Sequence, residues 1–102
     1  MFDFLKQIFG EKVNMQELID SGAKIIDVRT KAEFQQGHLK NSFNIPLDRL
    51  SDNLNKLDRS KPVITCCASG MRSGSARSIL IARGFTEVHN GGSWTSLRKY
   101  TK

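Results

Sequence analysis

Short runs of apolar and β-branched residues alternate along the chain with segments whose apolar residues recur at helical spacing. The short runs predict buried strands at residues 24–28, 42–45, 62–66 and 87–90. Helices are predicted around them, from Asn14 to Gly22, from Thr30 to Gly37, and over residues 48–57, 73–83 and 93–100. This alternation predicts an α/β fold in which helices cover both faces of a parallel sheet, with the active site at the carboxyl ends of the strands.

The 102 residues fit one ordinary domain, which we place at residues 13–102. Residues 1–12 are interpreted as an N-terminal extension or short helix, because apolar residues there share one helical face, namely Phe2, Leu5, Ile8 and Phe9. We expect that face to pack on the domain, the alternative being a weak contact with a membrane or a partner. Polar residues interrupt the apolar stretch, so we expect neither a signal peptide nor a transmembrane segment.

Basic residues outnumber acidic ones, and the formal net charge is +6. They are scattered along the chain, and the one local cluster lies near its end, at Arg98, Lys99 and Lys102. Scattered charge is typical of a soluble basic surface, whereas nucleic-acid binding favours a concentrated patch. We therefore expect no nucleic-acid partner, and a positive field that favours a small anionic substrate.

The two cysteines, Cys66 and Cys67, are adjacent in the sequence. They cannot form a disulfide that cross-links the fold, because neighbouring Cα atoms lie closer together than an unstrained disulfide requires. A chain without a disulfide framework suits a reducing compartment, so we expect a cytoplasmic protein, and we expect it to be a monomer. The histidines, His38 and His89, do not fall at zinc-ligand spacings from the cysteines, so no metal site is expected.

Cys67 lies where a predicted strand ends and a loop of small residues leads into a helix. Such a turn directs backbone N–H groups and the helix dipole at one point, which lowers the pKa of a cysteine there and can hold an anion. Gly70 permits the sharp turn, Ser69 and Ser73 add hydroxyl donors, and Arg72 adds a guanidinium. The alternative interpretation is a buried structural cysteine.

Residues 67–73 read C-A-S-G-M-R-S, which resembles the rhodanese active-site loop C-x-x-G-x-R-S. Further blocks of the same family occur in the expected order, namely D-V-R at 27–29, E-F at 33–34, G-H-L at 37–39, N-I-P-L at 44–47, G-F at 84–85 and G-G-S-W at 91–94. The loop motif alone is a weak signal, but the ordered series covers most of the chain. The resemblance implies a three-layer α/β/α domain around a mostly parallel sheet of about five strands.

The resemblance also implies a thiosulfate sulfurtransferase activity. Cys67 would take the outer sulfur of thiosulfate or of a persulfide donor, and would pass it to cyanide or to a thiol, including a protein thiol. Arg72 would close the loop, and the substrate-binding loop would comprise Ala68, Ser69, Gly70, Met71 and Ser73. Three further residues would support that loop through hydrogen bonds and ion pairs, namely Asp27, Arg29 and Glu33. No metal or organic cofactor is implied.

Cys66 departs from the family pattern, in which an aromatic residue often precedes the nucleophile. Because side chains alternate along a strand, we expect Cys66 to point away from the loop as a small buried side chain, the alternative being a resolving or relay thiol.

Two other functions stay open. Cdc25-like phosphatases and arsenate reductases share this fold class and use a longer loop, C-x5-R, which the spacing from Cys66 to Arg72 satisfies. Gly70 fits the rhodanese loop counted from Cys67, and no histidine precedes the cysteine pair, so sulfur transfer is favoured. The second of these other functions is that of a non-catalytic binding module or a persulfide carrier. The intact loop argues against a binding module, whereas enzyme and carrier remain unseparated.

Overall fold

The computed structural model describes residues 14–101, so the extension expected at residues 1–12 lies outside the described residues. The described residues form one parallel sheet with the strand order β2-β1-β3-β4. Its strands are β1 (Lys24–Asp27), β2 (Ser42–Asn44), β3 (Val63–Cys67) and β4 (Val88–Ser93). The α/β fold with a parallel sheet is therefore confirmed. Residues 14–101 supply four strands rather than about five, since the pattern of the sequence predicts four strand segments and the count of about five came from the family resemblance.

Within residues 14–101, three α-helices and two 3-10 segments connect and cover the strands. The helices are α1 (Met15–Asp20), α2 (Lys31–Gln36) and α3 (Met71–Ala82), and the 3-10 segments are Leu47–Lys56 and Trp94–Tyr100. The predicted caps form, because Asn14 accepts the Glu17 N–H, while Thr30 and Glu33 complete a capping box. The two 3-10 segments were expected as helices, and non-helical dihedrals at Asn53 interrupt the first of them. Among the described residues, no helix is both long and apolar enough to cross a membrane.

Apolar side chains fill both faces of the sheet. On one face, the 3-10 segment Leu47–Lys56 and α3 cover a cluster that includes Ile26, Val63, Leu54, Leu80 and Cys67. On the other face, α1 and the 3-10 segment Trp94–Tyr100 cover a smaller cluster that includes Ile25, Ile64, Leu97 and Cys66. Strand alternation thus sends the two adjacent cysteines to opposite faces of β3.

An extra residue in β4 shapes the edge of the sheet where the site lies. Thr65 pairs with Asn90, but Cys67 pairs with Ser93, so two steps along β3 match three along β4. Residues 91 and 92 were expected as a turn after the strand, and they instead form this bulge within it. Gly91 is required there, because a Cβ would lie 2.8 Å from Ile64 Cγ2 and 2.9 Å from Leu97 Cδ1.

Candidate active site

Cys67 is the last residue of β3, and its side chain is fully buried beneath the turn into α3. Gly70 makes that turn with φ of 102°, a left-handed conformation that L side chains rarely adopt, and α3 begins at the next residue. A Cβ at Gly70 would also lie 3.3 Å from the Cα of Gly92 in the bulge of β4. Strand, turn and helix start therefore meet around one sulfur atom.

Backbone amides surround the Cys67 sulfur. The Gly70 N–H donates to Sγ at 3.0 Å and the Ser73 N–H donates to it at 3.4 Å. Burial raises the pKa of Cys67, but the Ser73 hydroxyl, once it turns to donate to the thiolate, and the amides of Ser73, Gly70 and Ser69 outweigh burial and bring the pKa below its ordinary value. The arrangement stabilises a thiolate, which is the nucleophilic form of cysteine.

Asn90 in β4 is a member of the site that the sequence did not reveal. Its Oδ1 accepts from the Ser73 hydroxyl at 2.6 Å and from the Gly92 N–H at 2.9 Å, and its Nδ2 donates to the Gly70 carbonyl at 3.1 Å. The bulge of β4 brings this amide to the loop. The one signal available in the sequence was the position of Asn90, a polar residue at the carboxyl end of the strand predicted at 87–90.

Arg72 is held by Glu33 of α2. Arg72 Nη1 donates to Glu33 Oε1 at 2.7 Å, and Nη2 donates to Oε2 at 3.0 Å, in the bidentate geometry that guanidinium and carboxylate favour. The bond from Arg72 and the Thr30 N–H lower the pKa of Glu33 to about 2, and the same ion pair raises the pKa of Arg72. The pair is about a third exposed and joins the cysteine loop to α2.

Asp27 and Arg29 form a second ion pair, which is buried. Arg29 donates to Asp27 through Nε at 2.9 Å and through Nη2 at 2.7 Å, and Nη2 also donates to the Gly37 carbonyl at 2.7 Å. Arg29 also lies over the Trp94 ring, 4.6 Å from its centroid. The pair ties the end of β1 to the segment after α2.

The remaining loop residues face outward. Ala68 and Ser69 are exposed, and the Met71 side chain is 80% exposed. The Ser69 hydroxyl accepts the Met71 N–H at 3.5 Å. Ser73, expected to add a hydroxyl donor to the loop, donates to Asn90 Oδ1, and the Cys67 thiol donates to Ser73 Oγ at 3.4 Å.

Cys66 lies in the apolar cluster on the opposite face of the sheet, which confirms the direction expected from strand alternation. Burial raises the pKa of its thiol to about 12, so it stays protonated. In the described part of the chain, no three side chains of His, Cys, Asp or Glu gather into a metal-ligand set.

Fold and site together define a parallel α/β domain with a buried cysteine at the carboxyl end of a central strand, whose sulfur accepts hydrogen bonds from backbone amides. The family model of the rhodanese-like domain matches residues 12–97. The chain is 41% identical over 68 residues to YqhL of Bacillus subtilis, an uncharacterized protein, covering 67% of this chain and 54% of that relative. It is 33% identical over 75 residues to the thiosulfate sulfurtransferase GlpE of Pseudomonas savastanoi pv. phaseolicola, covering 74% of this chain and 71% of that relative.

A solved structure described as a rhodanese with anions from E. coli superposes on the chain with a TM-score of 0.69 and 33% sequence identity. The superposition covers 72% of this chain and 89% of that structure. The chain therefore belongs to the rhodanese-like domain family.

Proposed function

We propose that this domain is a sulfurtransferase that moves a sulfane sulfur from thiosulfate or a persulfide donor to a thiophilic acceptor through a persulfide on Cys67. The observation that carries the proposal is the Cys67 sulfur itself, within hydrogen-bond distance of two backbone N–H groups at the start of α3. The name of the relative GlpE, a thiosulfate sulfurtransferase, supports the choice of donor.

The reaction has two displacement steps. The Cys67 thiolate attacks the outer sulfur of thiosulfate, a new S–S bond forms at Sγ, and the original S–S bond breaks so that sulfite leaves with the electron pair. The acceptor, cyanide or a thiolate, then attacks the outer sulfur of the persulfide. The Cys67 thiolate leaves with its electron pair and is regenerated, so no external oxidant or reductant is needed.

Each neighbour has a role in this proposal. The loop amides stabilise the negative charge on sulfur, and the helix dipole adds to that effect. Arg72 offers positive charge at the rim for an anionic donor, and Glu33 fixes its direction. Asp27 and Arg29 act structurally by holding the end of β1, because their ion-pairing groups contact each other and backbone carbonyls. The outward-facing loop residues Ala68, Ser69 and Met71 border the entrance for the donor.

The rival reaction, phosphate or arsenate chemistry on Cys66, is disfavoured because that side chain lies on the face of the sheet opposite to Cys67. Its thiol lies within the opposite core cluster and has a pKa of about 12, so it would not be ionised and would point away from the loop amides. A loop of four residues between Cys67 and Arg72 also surrounds a single sulfur more closely than a tetrahedral phosphate.

The kind of acceptor that removes the sulfur distinguishes an enzyme from a persulfide carrier. A carrier would retain sulfur on Cys67 until a protein thiol removed it, whereas an enzyme would turn over with cyanide or a small thiol. We propose turnover, in a cytoplasmic monomer, with a small anionic donor.

A transfer assay tests the proposal. Purified protein with thiosulfate and cyanide should form thiocyanate, and should show negligible hydrolysis of aryl phosphates. Cys67→Ser should abolish the transfer, and Cys66→Ser should retain most of it once folding has been checked by circular dichroism. Transfer that survives in Cys67→Ser, or phosphatase activity that depends on Cys66, would overturn the proposal.

A further inference from the structure

The Ser73 hydroxyl lies between the Cys67 sulfur and the Asn90 side chain. Its oxygen is 3.4 Å from Cys67 Sγ and 2.6 Å from Asn90 Oδ1. A serine hydroxyl carries one proton and directs it to one neighbour at a time. Which neighbour receives that proton decides whether Ser73 accepts from the sulfur or donates to it.

Two backbone groups of opposite kind fix the orientation of the Asn90 amide. The Gly92 N–H donates to Oδ1 at 2.9 Å, while Nδ2 donates to the Gly70 carbonyl at 3.1 Å. A reversed amide would set its NH₂ against the Gly92 N–H and its oxygen against the Gly70 carbonyl, and both bonds would be lost. Because Oδ1 has no proton, the short contact with Ser73 requires the serine proton to point at Asn90.

This orientation has opposite effects on the two forms of Cys67. Ser73 presents lone pairs to the sulfur, so the neutral thiol has an acceptor for its S–H. A thiolate has no proton to give, and Ser73 can stabilise it only after its hydroxyl has rotated away from Asn90. The short bond to Asn90 therefore opposes ionisation, whereas the amides of Gly70 and Ser73 favour it.

We propose that Asn90 is a positioning residue that holds the Ser73 proton away from the Cys67 sulfur until that sulfur carries negative charge. The inference deepens the proposed function and rests on it, since it takes Cys67 as the nucleophile. The buried thiol is satisfied at rest, and the thiolate or persulfide anion gains a hydroxyl donor when it forms.

The charged and titratable groups near Cys67 do not account for this effect. Arg72 at the start of α3 is paired with Glu33 of α2, and Asp27 of β1 is paired with Arg29. Burial raises the pKa of Cys66 in β3 to about 12, and the bond to Glu33 raises the pKa of Arg72. Cys66 and Arg72 therefore do not titrate where a cysteine of lowered pKa does.

The test is the pH dependence of iodoacetamide alkylation at Cys67, located by peptide mass spectrometry. Asn90→Ala frees the Ser73 proton, so it should lower the pKa of Cys67 by about half to one unit, or roughly 3- to 10-fold more thiolate at a given pH below it. In a Ser73→Ala background, Asn90→Ala should leave the pKa unchanged, because no hydroxyl remains to transmit the effect. Asn53→Ala, at an amide that donates to the Arg49 carbonyl within the 3-10 segment Leu47–Lys56, is the matched control.

A pKa unchanged by Asn90→Ala would overturn the inference. An equal shift in both backgrounds would also overturn it, because Asn90 would then act through the loop and not through the hydroxyl. If circular dichroism shows that Asn90→Ala does not fold, Asn90→Asp replaces it. Its carboxylate accepts the serine proton more strongly, so the pKa of Cys67 should rise more in the presence of Ser73 than in the Ser73→Ala background, and an equal rise would contradict the inference.

Alkylation does not depend on sulfur transfer, so the two proposals fail separately. Coupling through Ser73 in a protein that transfers no sulfur would contradict the proposed function and leave the placement of the proton intact. Transfer activity without that coupling would contradict the role of Asn90 alone.

Discussion

Replacing Asp27 by asparagine removes one charge of the buried ion pair and leaves Arg29 without a counter-charge. Asp27 is fully buried and Arg29 is 4% exposed, so water cannot replace the lost carboxylate. The asparagine keeps the shape of the side chain. The change in the free energy of unfolding therefore reports the charge and its hydrogen bonds, and not a new cavity.

The expected loss of stability is large because Arg29 donates hydrogen bonds to both carboxylate oxygens of Asp27. Arg29 Nε lies 2.9 and 3.0 Å from the two carboxylate oxygens, and Nη2 lies 2.7 Å from Oδ2. Breaking a buried pair by removing one partner costs about 3–5 kcal/mol, against a total stability of about 5–15 kcal/mol for a small domain. At about 4–8 °C per kcal/mol, the melting temperature of Asp27→Asn should fall by at least roughly 12 °C.

Denaturation in urea, followed by circular dichroism, measures this loss, with Glu33→Gln as the matched control. Glu33 belongs to an ion pair that is about a third exposed, so its loss should cost less than about 1 kcal/mol. Transfer activity per folded molecule should survive in Asp27→Asn, since Asp27 acts structurally. If Asp27→Asn is as stable in urea as the unmodified protein, the argument from burial is wrong. If its folded molecules transfer no sulfur, Asp27 has a direct catalytic role.

Three further predictions concern the loop and the strand beside it. The alkylation rate of Cys67 should rise with pH through an inflection below about 8.5, the pKa of a free thiol, because the thiolate reacts and the pKa of Cys67 is lowered. An inflection at the ordinary cysteine value would contradict this prediction. Gly91→Ala should cost about 1–3 kcal/mol in urea denaturation, since its Cβ would lie 2.8 Å from Ile64 Cγ2, and unchanged stability would show that the bulge relaxes. Inserting one glycine after Gly70 should lower thiocyanate formation and favour phosphate or arsenate, whereas full retained transfer would show that loop size does not select the substrate.

Local patterns in the sequence were enough to predict the order of strands and helices along the chain, although α3 begins at Met71, two residues before its predicted start at residue 73. Apolar runs of strand length predict β1 and β3, and the caps at Asn14 and Thr30 predict where α1 and α2 begin, because both signals act within a few residues. The strand-to-helix turn at Gly70 is local in the same sense. The opposite directions of Cys66 and Cys67 also follow from alternation alone.

Contacts between distant segments were not predictable in this way. The bulge that extends β4 through Gly91 and Gly92 depends on pairing with β3, which a local turn signal does not contain. Asn90 reaches Ser73 across 17 residues, whereas the support that Glu33 gives to the loop, through Arg72 and across 39 residues, was implied only by the family resemblance. The sequence predicted a hydroxyl donor at Ser73, but no local pattern indicated that the hydroxyl donates to Asn90.

The most direct test of sulfur transfer through Cys67 is intact-protein and peptide mass spectrometry after treatment with thiosulfate. The unmodified protein should gain the mass of one sulfur atom on the peptide that holds the cysteine pair, and cyanide should remove it. The gain should persist in Cys66→Ser and disappear in Cys67→Ser. A sulfur adduct that persists in Cys67→Ser, or its absence in a folded unmodified protein, would contradict the account.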